Sequence, residues 1–179
     1  MVATEIENKN QMQKIVKFIG LLITSGLLLY SCDSKAVFSA YKTLPNQWHK
    51  DSVAAFKFKS PDTTNTYNLF VELRNTNKYA YNNLFLIIAL NHPNGKVQID
   101  TLEYKMAAPD GELLGEGFSD VKENKLWYRG YESPFRFSEM GSYQVNIQHA
   151  MRKQGQEDGI VDLAGITDVG FKIEREDSK

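Results

Sequence analysis

Three features of this 179-residue chain predict an all-β protein built as an antiparallel two-sheet β-sandwich of jelly-roll type. About eight or nine short segments alternate apolar with polar residues, turn-forming residues separate them, and no stretch sustains a 3.6-residue apolar period. A closed barrel is the second architecture that fits. A transmembrane barrel does not, because the outer strand faces mix aromatic and charged residues and carry no lipid-facing band.

The chain opens with a leader. Lys14 and Lys17 precede an apolar run from Phe18 to Tyr30, which ends at Ser31 and the chain's one cysteine, Cys32. Such a run spans roughly 20 Å as a helix, short of a ~30 Å hydrocarbon core but suited to a signal-peptide h-region. A small residue directly before a lone cysteine is the pattern of a bacterial lipoprotein-processing site. The Cys32 thiol would take a diacylglyceryl group and become the first residue after cleavage. Residues 1–31 are then the signal peptide, 32–40 the acylated cysteine and tether, and 41–179 the folded body. Tyr30 is larger than that pattern prefers, and the alternative is an uncleaved anchor with Cys32 free or buried. Met12 would open the leader more cleanly than Met1, since residues 1–11 carry both signs of charge.

Composition narrows the function classes. With 21 basic and 22 acidic side chains the net charge is −1, so no basic surplus exists for a phosphate backbone, and nucleic acid is excluded as a partner. With Cys32 acylated no disulfide can form, and the body must be held by its core. A composition of 42% hydrophobic and 12% aromatic residues is enough to build one.

Val37 to Tyr41 reads as a first strand, and Pro45-Asn46 as a turn. Phe56 and Phe58 alternate with Lys57 and Lys59, a strand with one wet face. After turn chemistry at Pro61 to Asn65, Tyr67, Leu69, Val71 and Leu73 share one face of a longer strand. Leu84 to Leu90 is apolar on both faces and predicts a strand buried on both sides at the centre of the core. His92-Pro93-Asn94-Gly95-Lys96 is a hairpin signal. The return strand, Val97 to Met106, changes parity between Ile99 and Leu102, which predicts a bulge near Asp100-Thr101. Lys125 to Tyr131 is a further strand, with Phe135 and Phe137 resuming it after Pro134. Tyr143, Val145, Ile147, His149 and Met151 form an inward face, and Ile166 to Glu174 closes the chain.

Nothing in the chain has the spacing that chemistry needs. His49, His92 and His149 lie in different kinds of segment, and His149 reads as a core or rim histidine. Asp110 with Glu112, Asp120 with Glu123, and Glu157 with Asp158 sit in polar loops, where solvated turn chemistry explains them. No Gly-x-Ser-x-Gly elbow, calcium loop or phosphate cradle occurs. The reading is therefore a non-enzyme without cofactor or metal. Aromatics are more suggestive: Trp48, Trp127 and Tyr128, with Tyr41, Tyr79, Tyr81 and Tyr131, lie in or beside loops and strand ends. Trp48, Trp127 and Tyr128 are the candidate interaction residues for protein or sugar, and the other reading is that these rings cap the sandwich ends.

A family resemblance rests on a series of phrases. They are Leu44-Pro45-x-x-Trp48-x-x-Asp51, Asp62-Thr63-Thr64-x-x-Tyr67-Asn68-Leu69-Phe70, Arg74-Asn75, Asn83-Leu84-Phe85-Leu86 and Pro93-Asn94-Gly95. Asp100-Thr101-Leu102-Glu103-Tyr104-x-Met106-Ala107, Lys122-Glu123-Asn124-Lys125-Leu126-Trp127, Gln148-x-Ala150-Met151-Arg152 and Gly165-Ile166-Thr167-Asp168-Val169-Gly170 follow. In that order, from about Leu44 to Glu174, they resemble the GldH lipoproteins of gliding Bacteroidota. Leu113 departs from the pattern, which has tryptophan beside Leu114-Gly115. The resemblance implies a lipid-anchored, non-enzymatic envelope protein of gliding motility that works with other gliding and secretion proteins. It brings no catalytic residue or cofactor, and only Cys32 carries over, as the acylated residue. The residues after Cys32 lack an acidic surface-export run, and the expectation is a periplasm-facing anchor, outer membrane ahead of inner. The alternative function is an envelope carbohydrate-binding lipoprotein.

Overall fold

A computed structural model describes residues 35–117, 120–153 and 155–176, so the leader and Cys32 lie outside the described residues. Within them the chain forms strands and no helix. The strands are β1 (Ala36–Thr43), β2 (Gln47–His49), β3 (Ala54–Lys59), β4 (Tyr67–Thr76), β5 (Asn83–Asn91), β6 (Val97–Lys105), β7 (Val121–Arg129), β8 (Ser142–His149), β9 (Asp162–Ala164) and β10 (Ile166–Arg175). β1 begins inside the stretch expected as tether.

Two four-stranded sheets form, β1-β10-β4-β7 and β3-β8-β5-β6, with β2-β9 as a small third sheet. Every ladder is antiparallel. The pairings are nested: first strand with last, β3 with β8, β4 with β7, and β5 with β6 at the tip. A long hairpin wrapped so that its two arms pass from sheet to sheet gives this order, which is that of a jelly roll. At the tip of the hairpin Gly95 takes φ +86°, and the Asn94 side chain accepts a hydrogen bond from the Lys96 amide at 2.9 Å.

The core lies between the sheets. β4 contributes Tyr67, Leu69, Val71 and Leu73; β5 contributes Leu84, Leu86, Ile88 and Leu90; all are fully buried. Phe171 of β10 stands at the centre of an aromatic layer that joins the two sheets. Its ring centroid is 5.7 Å from Phe58 and 6.3 Å from Phe56, both on β3, and 6.5 Å from Tyr128 on β7. Phe137 closes one end between Tyr67 at 5.3 Å and Tyr143 at 5.1 Å.

Three expectations are corrected. β5 is not buried on both sides, since Phe85, Ile87 and Ala89 face outward and are only half-buried. The strand covered on both faces is β4, whose outward Phe70 and Glu72 are also buried, under the long side chains of neighbouring strands. No bulge interrupts β6, which pairs with β5 in unbroken register from Asn91↔Val97 to Asn83↔Lys105. Val97 and Ile99 simply face water, so their parity carries no register information. Phe135 and Phe137 form no strand either, only a bridge from Phe135 to Tyr67. β2 and β9, three residues each, are too short for alternation to show, yet they set Trp48 opposite Leu163 and bury both fully.

His149 confirms its reading as a core histidine. It is 3% exposed, its ring stands edge-on to Trp48, and its Nε2 lies 2.9 Å from the Trp48 carbonyl oxygen. A carbonyl can only accept, so Nε2 carries the hydrogen and Nδ1 is left bare and buried without a partner. Burial, above all, lowers the pKa of this imidazole.

Two outcomes follow. Phe171→Ala should remove about 3–5 kcal/mol of stability in urea unfolding, because it empties the centre of the inter-sheet layer; a loss below about 1 kcal/mol would contradict that role. The neutral His149 ring is favoured by the fold, while in the unfolded chain it protonates near its ordinary value of 6.5. Its contribution is thus present above that pH and lost as pH falls below it. His149→Gln keeps a donor for the Trp48 carbonyl but cannot titrate. A melting temperature compared at pH 7.5 and 5 should drop less in this variant than in the parent chain.

Candidate functional site

The outer face of the sheet β1-β10-β4-β7 can be read in rows, because the register sets four side chains side by side. One row is Thr43, Asp168, Arg74 and Glu123; the next is Tyr41, Gly170, Glu72 and Lys125; the third is Ser39, Lys172, Phe70 and Trp127. In the first row Thr43 donates to Asp168 at 2.8 Å and Arg74 pairs with Glu123 at 3.3 Å. In the second, Gly170 is needed for space, since a Cβ there would lie 2.7 Å from the Tyr41 ring. Tyr41 therefore lies over the backbone, donates to Glu123 at 2.9 Å, and carries the Arg74 guanidinium 4.6 Å from its centroid. Burial, and then hydrogen bonding to Glu72 and Glu123, raise its phenol pKa and keep it a donor.

The third row joins charge to aromatic surface. Lys125 bonds Glu174 at 2.6 Å while its ammonium sits 4.2 Å from the Phe70 centroid, and Lys172 reaches Glu174 at 3.0 Å. Trp127 packs on Phe70 at 4.4 Å. Charges on this face are thus matched by their neighbours, which leaves few polar groups free for a ligand.

The lacing ends at the last residues of β7. Trp127 is 39% exposed, and Tyr131, just past the strand, is 75% exposed with its ring 5.4 Å away at 55°. Gly130 makes that turn at φ +103°; a Cβ there would lie 2.4 Å from the Asn68 side-chain oxygen and 2.8 Å from the Tyr67 carbonyl. The two rings border a cleft of about 340 Å³ with Leu102, Arg129, Glu132 and Phe135. Its floor is fixed from the other sheet. Tyr104 donates to the Trp127 carbonyl at 2.6 Å, and both Tyr128 and Arg129 bond the Asp100 carboxylate.

Of the three candidate interaction residues, only Trp127 presents a ring at the surface. Trp48 is fully buried, donates its indole N–H to the Ser52 carbonyl at 2.7 Å, and belongs to the core. Tyr128 is 8% exposed and turns its ring toward Phe171, leaving only its hydroxyl at the rim; burial pushes its pKa up to about 12. Both are therefore removed as contact residues: a ring inside the sandwich cannot touch a partner. Tyr131, already among the aromatics noted in the sequence beside loops and strand ends, stands next to Trp127 as the more exposed ring. Cys32 lies outside the described residues. Among the described residues no three His, Cys, Asp or Glu side chains gather to hold a metal, and no helix is long and apolar enough to cross a membrane. What the cleft offers is aromatic surface on a rigid strand end, suited to contact.

Comparison with known proteins gives a consistent family. The chain is 49% identical over 162 residues to the gliding motility lipoprotein GldH of Flavobacterium johnsoniae, covering 90% of this chain and 99% of that one. It is 51% identical over 158 residues to the gliding motility lipoprotein GldH homolog of Christiangramia forsetii, covering 88% and 95%. Among solved structures, a family GH115 4-O-methyl-α-glucuronidase overlaps 82% of this chain and 18% of its own at 12% identity, with a TM-score of 0.41. The VP2 subviral particle of infectious bursal disease virus overlaps 79% of this chain and 34% of its own at 15% identity, with a TM-score of 0.31. Both overlaps are too loose to bear on fold or function. Residues 36–173 match the family profile described as GldH lipoprotein, and the chain belongs to that family.

Proposed function

We infer that this protein is a lipid-anchored, non-catalytic component of the gliding apparatus, acting by docking to other gliding or secretion proteins of the cell envelope. The observation that carries this reading is the likeness, over nearly the whole chain, to relatives named for gliding motility. The sandwich is compatible with it: charges on its outer face are paired with their neighbours. Such a body presents surfaces to a partner.

Membrane attachment is assigned to Cys32. The run Phe18 to Tyr30 and the small residue Ser31 prepare cleavage there, and the thiol takes the lipid. One acyl chain binds a membrane reversibly, at ~0.8 kcal/mol per buried CH₂, whereas several chains on one residue hold firmly. Absence of an acidic run after Cys32 favours a periplasm-facing body, held at the outer membrane ahead of the inner.

A carbohydrate-binding role has one observation in its favour, the exposed pair Trp127 and Tyr131. Their planes are inclined by 55°, which makes a notch and not a flat platform for a sugar ring. Titration with envelope oligosaccharides should leave tryptophan emission unchanged.

The motility role is tested in a gliding strain that carries this gene. Its deletion should leave growth intact and abolish spreading, and the parent chain should restore it; spreading that persists after deletion refutes the role. Cys32→Ala should leave the protein in the soluble fraction and fail to restore spreading. If that variant still pellets with membranes, the lipid assignment falls.

A further inference from the structure

The sandwich has two ends, and they differ. One line of backbone contacts crosses the first of them. The Arg175 amide donates to the Lys35 carbonyl at 2.9 Å, Arg175 pairs with Tyr67, and Tyr67 bridges to Phe135 and touches the Gly130 turn. On the other sheet the Ser60 amide donates to the Gly141 carbonyl at 3.0 Å, and Gly141 abuts Pro93 of the β5–β6 hairpin. Phe137, in contact with both Tyr67 and Tyr143, joins the two lines. Lys35, the Gly130–Tyr131 turn, Met140 and the start of β6 therefore lie at one end.

Apolar exposure gathers there. The most exposed large hydrophobic side chains among the described residues are Tyr131 at 75%, Ile99 at 69%, Met140 at 62% and Val97 at 50%. Tyr131, Met140 and Val97 stand at this end, and Ile99 one step behind Val97 on the same face of β6. Val53, Leu114, Val121 and Val161, toward the other end, are exposed by 37% to 48%. Lys59, Lys96 and Arg136 are exposed around the same rim, with Glu132 nearby.

The length of chain before the sandwich decides what covers this end. Lys35 is already pinned to β10, so only Asp33 and Ser34 separate it from Cys32. Three steps of 3.8 Å allow a reach of roughly 11 Å at full extension. With the lipid of Cys32 in the bilayer, this end cannot stand clear of the headgroups.

We propose that the end of the sandwich carrying Tyr131, Met140 and Val97 is a membrane-contact surface, seated in the headgroup region of the bilayer that holds the Cys32 lipid. Aromatic rings with a polar tip settle at that depth, and lysine and arginine stems let their charges reach water or phosphate while the stem stays apolar. Glu132 offsets part of the basic charge, so the contact depends on apolar insertion and needs no anionic lipid. Trp127, beside Tyr131, is then a wall of this surface. The body is held in one orientation, with its opposite end turned away from the membrane and open to protein partners.

This inference rests on acylation of Cys32, and the experiment separates the two. The full lipidated chain is reconstituted into phosphatidylcholine vesicles containing a headgroup spin-labelled lipid, with a single bimane label at Tyr131→Cys, Met140→Cys or Val161→Cys. Acylated Cys32 takes up no label, so the parent chain should stay dark. Emission from positions 131 and 140 should fall by more than half while that from 161 is unchanged, and adding phosphatidylglycerol should not be required. If the chain does not float with vesicles, acylation fails and this inference with it. If it floats but 131 and 140 are quenched no more than 161, the lipid assignment stands and the contact surface is overturned. Quenching only with phosphatidylglycerol present also overturns it, since that is electrostatic adhesion.

Discussion

The aromatic layer around Phe171 is what the rest of the structure depends on. With Cys32 as the chain's one cysteine, no disulfide can staple the sandwich, and the two sheets are held by what lies between them. Phe171 comes from the last strand, Phe56 and Phe58 from the third, Tyr128 from the seventh, so the layer cannot assemble until distant parts of the chain have met. The nested ladders say the same: only β5 with β6 is local, and β1 with β10 spans the whole body. Such a fold closes late and as a unit, because loop-closure entropy must be overcome before these contacts form.

A second layer follows from the first. β4 is central to its sheet, and its outward Phe70 and Glu72 would be wet if the face were bare. Lys125, Lys172 and Trp127 cover them, and Glu174 ties the two lysines. Glu174 and Lys172 are largely buried, so their mutual attraction is offset by the desolvation of the charges, and this network is weak as a source of stability. Its larger effect is on function. Charges already matched by neighbours do not recruit a charged ligand, and the face serves as cover for β4. Contact is left to the ends and edges of the sandwich.

Much of this was legible in the sequence because alternation reports directly on burial. The inward faces of β4, β8 and β10, and the hairpin at Asn94-Gly95, appear as read, and the ordered phrases from Leu44 to Gly170 carried the family. What was not legible depends on distances across the fold. Trp48 looked like a loop aromatic because the strand that buries it is three residues long and its partner lies beyond residue 160. Tyr128 and Trp127 are neighbours with opposite fates, set by pleat direction. The parity change in β6 mimics a bulge because its valine and isoleucine face water. The gathering of Tyr131, Met140 and Val97 at one end is invisible in sequence, where they are separated by whole strands.

The sandwich is one cooperative body in which both sheets stand or fall together. Native-state hydrogen exchange of the full chain tests this most directly. Amides of Val71 and Phe171 in one sheet, and of Ile88 and Val145 in the other, should exchange with a single free energy equal to that of global unfolding. Two separate free energies, with one sheet opening while the other stays protected, would contradict it.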